Sequence, residues 1–220
     1  MCGRYSLVCT DELGNRFRVY QATLGFRSRF NVAPSRSMPV VVRRERVEMA
    51  MMEWGLVPHW ARSPSKAHRP INARAETLAE RPLFRELLRQ HRCLVPASGF
   101  FEWRREGARK QPYYIRLRDE PLFAFAGLYD IRHDADGVAH PTYTIITTEA
   151  NELLSPIHNR MPVILKPEDE TRWLAPTPPA PNEMRAMLGP YPAGAMDAQP
   201  VSSRVNSPVE DDERLIAPLP

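Results

Sequence analysis

Proline is spread along the whole chain and accounts for 23 of its 220 residues. This is about twice the usual ~5% share of proline in proteins. Proline fixes φ and lacks a backbone N–H, so it favours turns over the interior of helices and strands. We therefore expect many loops and turns. The apolar share of 43% is ordinary for a globular protein, and the length predicts one core and a single domain over residues 1–220.

Short apolar or alternating runs between turn signals predict mainly strands. Strands are expected at Met38–Val42, from Val47 to Trp54, at Leu94–Val95 continuing into Gly99–Arg104, and at Tyr113–Leu117, Leu122–Tyr129 and Thr142–Thr148. Helices are expected from Thr10–Glu12 to about Tyr20, at Pro82–Gln90, near Glu168–Leu174 and near Asn182–Leu188, followed by a final extended segment at Pro200–Val205. The predicted fold is α+β, a bent antiparallel sheet that curls into a partial barrel with flanking helices.

The composition excludes several classes of protein. Three cysteines at irregular spacing are too few for a disulfide framework, and no His or Cys pair has the spacing of a zinc site. The N-terminus has no apolar signal region, and no apolar run approaches the ~18 residues of a membrane span. We expect a cytoplasmic protein without membrane contact, metal or cofactor. The net charge of +4 and the pI near 9.1 permit an anionic partner.

Cysteine is the second residue, and removal of Met1 would leave an α-amine and a thiol on one residue. An α-amine titrates near ~7.7–8.0 and a thiol near ~8.5, so neutral amine and thiolate coexist near neutral pH. With an amide or ester, the thiolate of Cys2 would attack and the amine would act as base. With an aldehyde, the amine would form an imine and the thiol would close a thiazolidine ring. The alternative is a cysteine that follows the start codon by chance.

Three further polar residues stand in settings that suit catalysis. Glu102 lies among aromatic residues in a predicted strand, where burial would raise its pKa toward neutrality. His158 lies in a proline-bounded loop beside Arg160. Asn72 follows a turn at Pro70. The alternatives are a solvent-facing Glu102 on an edge strand, an exposed or structural His158, and an Asn72 that caps a helix.

Two large rings, Trp54 and Trp60, flank a Gly/Pro turn. They predict either a corner of the core or a platform on which nucleic-acid bases stack.

Several of these segments belong to a longer series in the same order along the chain. The series is Met1–Arg4, Asn31–Pro34, Trp54–Pro58, Asn72–Thr77, Gly99–Trp103, His158–Pro162 and Val205–Pro208. It closely resembles the motifs of the SOS response-associated peptidase family and spans nearly the whole chain.

The resemblance implies a protein that binds single-stranded DNA and traps abasic sites. Cys2, freed of Met1 by the protein itself or by an aminopeptidase, would form a thiazolidine with the ring-opened aldehyde. Asn72 would orient the open sugar, Glu102 would shuttle protons, and His158 would act as acid at the departing ring oxygen. Arg74 and Arg160, and more weakly Arg4, would hold phosphates, with Trp54 also placed on the DNA. A lyase activity and a monomeric state are further expectations.

Two other classes of function stay open at this point. N-terminal-nucleophile glutamine amidotransferases also begin Met-Cys-Gly, although none of their further glutamine-site motifs is found here. A non-enzymatic nucleic-acid-binding module would use the arginines and tryptophans and leave Glu102 and His158 without a role.

Overall fold

The computed structural model describes residues 2–8, 12–20, 26–62 and 68–219. In these ranges the first strands are β1 (Arg4–Leu7), β2 (Arg29–Val32), β3 (Ser37–Arg43), β4 (Val47–Trp54), β5 (Asn72–Arg74), β6 (Arg92–Ala97) and β7 (Gly99–Glu106). They are followed by β8 (Arg109–Leu117), β9 (Phe123–His133), β10 (Ala139–Glu149), β11 (Arg160–Pro162), β12 (Ile164–Leu165) and β13 (Met196–Pro200). The α-helices are α1 (Leu13–Arg16), α2 (Pro82–Gln90), α3 (Pro167–Trp173) and α4 (Pro181–Met187).

Five strands close into a barrel. β3 pairs with β4 and β6, β6 pairs with β9, and β9 pairs with β10, all antiparallel. A parallel pairing of β10 with β4 completes the ring. β5 and β11 extend β10 beyond the ring, β5 parallel and β11 antiparallel, and β12 pairs with β9.

The second sheet is antiparallel throughout, with the strand order β13-β8-β7-β1-β2. Tyr5 of β1 joins it to the barrel. The Tyr5 ring packs edge-on against Trp54 and Phe125, at centroid distances of 5.3 and 5.9 Å, and its hydroxyl lies 2.7 Å from that of Tyr143. This buried contact fixes the start of the chain between the two sheets.

A smaller cluster covers the other face of the second sheet, where Phe101 and Tyr114 pack with Val201, Val205 and Leu215. Gly99 makes this packing possible, because a Cβ at that position would lie 2.3 Å from the Tyr114 ring.

The α+β class and the barrel are confirmed, but one pairing direction differs from the expectation. The predicted sheet was antiparallel, whereas β10 runs parallel to β4 and β5. The interior of β10, from Thr142 to Thr148, is buried, which is typical of a strand covered on both faces.

Two predicted elements are wrong in extent. The first helix ends at Arg16, well before Tyr20, because Arg18 takes a left-handed φ of 50°. Thr10 and Asp11, expected at its start, lie outside the described residues. The final extended segment ends at Pro200, and a 3-10 turn over Ser203–Asn206 replaces the rest. The Ser202 hydroxyl accepts a hydrogen bond from the Arg204 N–H and caps that turn.

Candidate active site

Cys2 lies just before β1 and is fully buried. Its backbone carbonyl accepts a hydrogen bond from the Asn72 amide nitrogen at 2.8 Å, and its Sγ lies 3.6 Å from the carbonyl oxygen of Arg4. Burial raises the pKa of the Cys2 thiol, and the negative charge of Glu102 raises it further. The thiol is therefore protonated in this form of the chain.

Asn72 is the first residue of β5 and pairs with Ile145 of β10. The interpretation of Asn72 as a helix cap is wrong, because the 3-10 turn that follows begins at Ala75 and has Arg74 at its N-cap position. The Asn72 Oδ1 is buried and has no hydrogen-bond partner within the described ranges. A buried amide oxygen in this state is an acceptor that a ligand hydroxyl or amine can satisfy.

Glu102 faces the barrel because of strand alternation in β7. Phe100 packs into the main core and Phe101 into the smaller cluster on the opposite face. Glu102 shares the face of Phe100 and is only 2% exposed, so its interpretation as a solvent-facing residue is wrong. Burial raises its pKa from 4.5 to about 7. A carboxyl group that titrates there can both donate and accept a proton near neutral pH.

His158 ends the turn that precedes β11 and is partly buried. The Arg160 backbone N–H donates a hydrogen bond to its Nδ1 at 3.0 Å. The Arg160 carbonyl oxygen lies 3.2 Å from the same nitrogen, so Nδ1 accepts from the N–H in one tautomer and donates to the carbonyl in the other; in the first tautomer Nε2 carries the proton. Burial lowers the pKa of His158 and favours the neutral form.

Glu102 and His158 line one pocket of about 680 Å³. Its other lining residues are Trp103, Arg105, Lys110, Ile157 and Asn206. Glu102 lies close enough to Cys2 for its charge to raise the pKa of the thiol. The Asn72 amide in turn donates a hydrogen bond to the backbone carbonyl of Cys2. The fold therefore brings four candidate catalytic residues from distant parts of the sequence into one neighbourhood.

Two further features are absent from the described part of the chain. It contains no group of three or more His, Cys, Asp and Glu side chains that could hold a metal ion. Among the described helices, none has the length and apolar character needed to cross a membrane.

Comparison with known proteins agrees with this geometry. Residues 1–208 match the family model described as SOS response associated peptidase (SRAP). The abasic site processing protein YoqW of Bacillus subtilis is 41% identical over 221 residues, which cover 98% of this chain and 99% of that protein. A crystal structure of a protein from Bacteroides thetaiotaomicron has a TM-score of 0.86 and 34% identity, and it covers 99% of this chain and 100% of that one.

The chain belongs to the SRAP family.

Three arginines quoted in the SRAP motifs differ in how they are held. Arg74 is exposed at the end of β5. The Arg160 guanidinium makes a forked ion pair with Glu76, at 2.6 and 3.0 Å, and also donates to the carbonyl oxygen of Thr147 at 2.7 Å. Arg4 donates to the Gly3 carbonyl at 3.0 Å, and burial lowers its pKa. An anion that binds Arg160 must therefore exchange with a carboxylate.

The prediction that Trp54 contacts DNA is wrong. Trp54 is fully buried, its indole N–H donates to the carbonyl oxygen of Ile71 at 2.9 Å, and its ring stacks on Tyr143. It is a core residue with no face open to a base. Trp60, the ring on the other side of the Gly/Pro turn, is 67% exposed.

Sequence reasoning missed three polar residues that line the pocket, Arg105, Lys110 and Asn206. Asn206 was part of a quoted SRAP motif but had no role assigned. Alternation could not have found Arg105, because it places Arg105 with Phe101 and Trp103 on the face of β7 opposite Glu102.

Proposed function

We propose that this SRAP protein processes abasic sites in DNA by covalent capture, acting as a monomer on single strands. Cys2, once Met1 has been removed, forms a thiazolidine with the ring-opened aldehyde of the lesion and shields it during the DNA damage response. The observation that carries the proposal is Glu102, a buried carboxyl group with a pKa of about 7 that lies beside Cys2 and shares a pocket with His158. The names of relatives such as YoqW point to the same lesion.

The proposed reaction conserves atoms and charge and uses no cofactor. The α-amine of Cys2 adds to the C1′ aldehyde, and the carbinolamine loses water to give an imine. The thiol of the same residue then loses its proton and adds to the imine carbon, which closes a five-membered ring. Amine, thiol and aldehyde thus give the thiazolidine and one water.

Each neighbouring residue has a proton or an orientation to supply. Glu102 takes a proton from the attacking amine and returns it to the departing hydroxyl, since its pKa is close to the working pH. His158 acts as the acid at the sugar ring oxygen through Nε2–H, in the tautomer whose Nδ1 accepts a hydrogen bond from the Arg160 backbone N–H. Asn72 offers the unsatisfied Oδ1 to a hydroxyl of the open sugar.

Removal of Met1 is the activating step in this proposal. While Met1 is attached, the nitrogen of Cys2 is an amide and is not nucleophilic, and the thiol is held protonated by burial. Hydrolysis of the Met1–Cys2 bond, by the protein itself or by an aminopeptidase, creates the aminothiol. A lyase reaction would branch from the imine, whose formation acidifies the C2′ protons and permits elimination of the 3′ phosphate.

The test is to block each half of the aminothiol separately. An N-terminal tag that demonstrably keeps the Cys2 nitrogen as an amide should abolish the heat-stable adduct with abasic single-stranded DNA. Cys2→Ser keeps the amine and should give at most a labile imine product. Both forms should still bind intact DNA, because the candidate phosphate contacts lie on other residues. Intact mass of each protein confirms its N-terminus.

Full crosslinking by the tagged, unprocessed protein would overturn the aminothiol mechanism and point to an internal nucleophile. Ammonia release from glutamine without any DNA adduct would favour the amidotransferase alternative. Tight DNA binding without an adduct from the processed protein would favour a non-enzymatic binding module.

A further inference from the structure

The hairpin of β7 and β8 sets two cations against each other. Arg105 pairs directly with Lys110 in the antiparallel register, and both are exposed. Side chains at directly opposed positions have Cβ atoms about 4.5–5.5 Å apart, and like charges there are destabilising. The arrangement therefore needs a reason other than stability of the hairpin.

Neither cation is neutralised by a neighbour. In the ranges that the structure covers, Arg105 and Lys110 have no hydrogen bond from the side chain and no ion pair. Other arginines of the second sheet and its surroundings do: Arg104 pairs with Glu106, Arg116 and Arg118 with Asp197, Arg29 with Asp211, and Arg204 with Glu210 and Asp212. Unlike those arginines, Arg105 and Lys110 are available to an anionic ligand, as is the neighbouring Arg109, which also has no ion pair within the described residues.

These two side chains also line the pocket that holds Glu102 and His158. Asn206 lines it as well, and its amide oxygen accepts a hydrogen bond from the Trp103 indole at 2.8 Å. That bond orients the Asn206 amide and leaves its NH₂ group as a donor. Two cations and an oriented amide donor therefore border the same pocket.

We propose that Arg105 and Lys110 form a phosphate-binding pair that holds a backbone phosphodiester of the strand next to the abasic nucleotide. Arg105 supplies planar N–H donors and Lys110 a compact charge, and their spacing lets both reach one phosphate. The bound phosphate relieves the repulsion between the two cations. The pair thereby fixes the position of the strand while the lesion enters the pocket. The proposal rests on the proposed function for the identity of the lesion, but the phosphate contact is independent of the covalent chemistry.

The first experiment measures binding of intact single-stranded DNA to the full chain by fluorescence anisotropy at several salt concentrations. Each phosphate contact on a single strand contributes about −0.7 to the slope of log K against log salt. Arg105→Gln and Lys110→Gln should each lower the magnitude of the slope by up to that amount. Arg105→Lys should keep it. The matched control is Arg104→Gln, one residue away on the same strand but paired with Glu106, which should leave the slope unchanged.

The second experiment locates the phosphate. Single methylphosphonate linkages, which are uncharged, are placed at each position near the abasic nucleotide. The parent protein should lose affinity at one or two positions, and Arg105→Gln/Lys110→Gln should show no further loss there. Equal losses in parent and double variant at every position would overturn the proposal, as would a slope that Arg105→Gln and Arg104→Gln change equally.

Folding and function are checked separately. The Tm of the double variant should equal or exceed that of the parent, because two like charges have been removed; a lower Tm would show that the pair stabilises the hairpin. At subsaturating DNA the double variant should form the adduct more slowly than the parent, in proportion to its weaker binding. Failure of the parent to form any adduct would defeat the proposed function, whereas the binding measurements on intact DNA would still decide the phosphate pair.

Discussion

The environment of Glu102 differs strongly from that of an ordinary carboxyl group. It shares a strand face with Phe100 and is buried, which raises its pKa from 4.5 to about 7. Glu102→Gln keeps the shape but cannot transfer protons. We expect adduct formation to slow by about 100-fold or more. The parental rate should also show an inflection near pH 7 that the variant lacks, which a pH series of single-turnover gel assays measures. An unchanged profile would leave Glu102 with a structural role only.

The same pKa shift predicts a pH dependence of stability. Because the folded pKa lies above the unfolded one, the folded state binds the proton more tightly. Glu102 therefore contributes fully to the free energy of unfolding below about pH 4.5. This contribution is lost as the pH rises through about 7. The full effect is at most about 3 kcal/mol. Relative to the parent, Glu102→Gln should therefore gain stability as the pH rises from about 5 to about 8. Urea unfolding of both proteins across this pH range measures the difference.

The burial of Glu102 could be predicted because its aromatic neighbours are visible in the sequence. The burial of Trp54 could not, for an equally physical reason. A tryptophan next to a Gly/Pro turn fits both a core corner and an exposed platform, and only the pairing of β4 with β3 and β10 puts this ring inside the barrel. Trp60, a few residues later, is exposed although its local sequence is similar.

At the scale of elements, β10 organises the candidate phosphate contacts. β5 and β11 pair with its two edges, so Arg74 lies opposite Thr147 and Arg160 opposite Glu149. Both arginines thus reach the same end of one strand, although they are far apart in sequence. Arg74 is exposed, whereas Arg160 is held by Glu76.

This arrangement predicts opposite effects for the two partners of the ion pair. Arg160→Gln should weaken binding of single-stranded DNA, and Glu76→Gln should strengthen it by up to about fivefold, because an exposed ion pair is worth about 0–1 kcal/mol. Anisotropy titrations measure both. Glu76→Gln should have no effect once Arg160 is Gln. Tighter binding by Glu76→Gln in that background would mean that Glu76 acts by general repulsion of DNA.

Sequence patterns found most elements because alternation and turn residues are local. They could not give the direction of β10 relative to β4, since a strand shows the same alternation in either direction. They also could not show that Glu76 would meet Arg160, because this contact depends on the closure of the barrel and its flanking strands. The contact partners of single residues thus could not be predicted from the sequence.

At the scale of the whole molecule, the candidate site lies where the two sheets meet. Glu102 belongs to the second sheet, and Cys2 lies just before its strand β1. Asn72 lies in β5 and His158 just before β11, and both of these strands pair with β10. Tyr5 holds the two parts together through its contacts with Trp54 and Tyr143. A nucleotide that reaches Cys2 must therefore enter between sheets rather than bind on a flat surface.

This geometry predicts a strong preference for single-stranded substrate. A lesion in a paired duplex must be unstacked and turned out of the helix, which costs a few kcal/mol, whereas a single strand avoids most of that cost. With the same abasic oligonucleotide, annealing to a full complement should lower the initial rate of adduct formation by about tenfold or more, since each 1.4 kcal/mol is a factor of ten. Denaturing gels at equal DNA concentration measure both rates. A complement with a gap opposite the lesion and its flanking nucleotides should restore the rate, because it frees the strand locally and keeps the total length of DNA unchanged. Equal rates on gapped, single-stranded and fully paired DNA would mean that the lesion is captured without entering the space between the sheets.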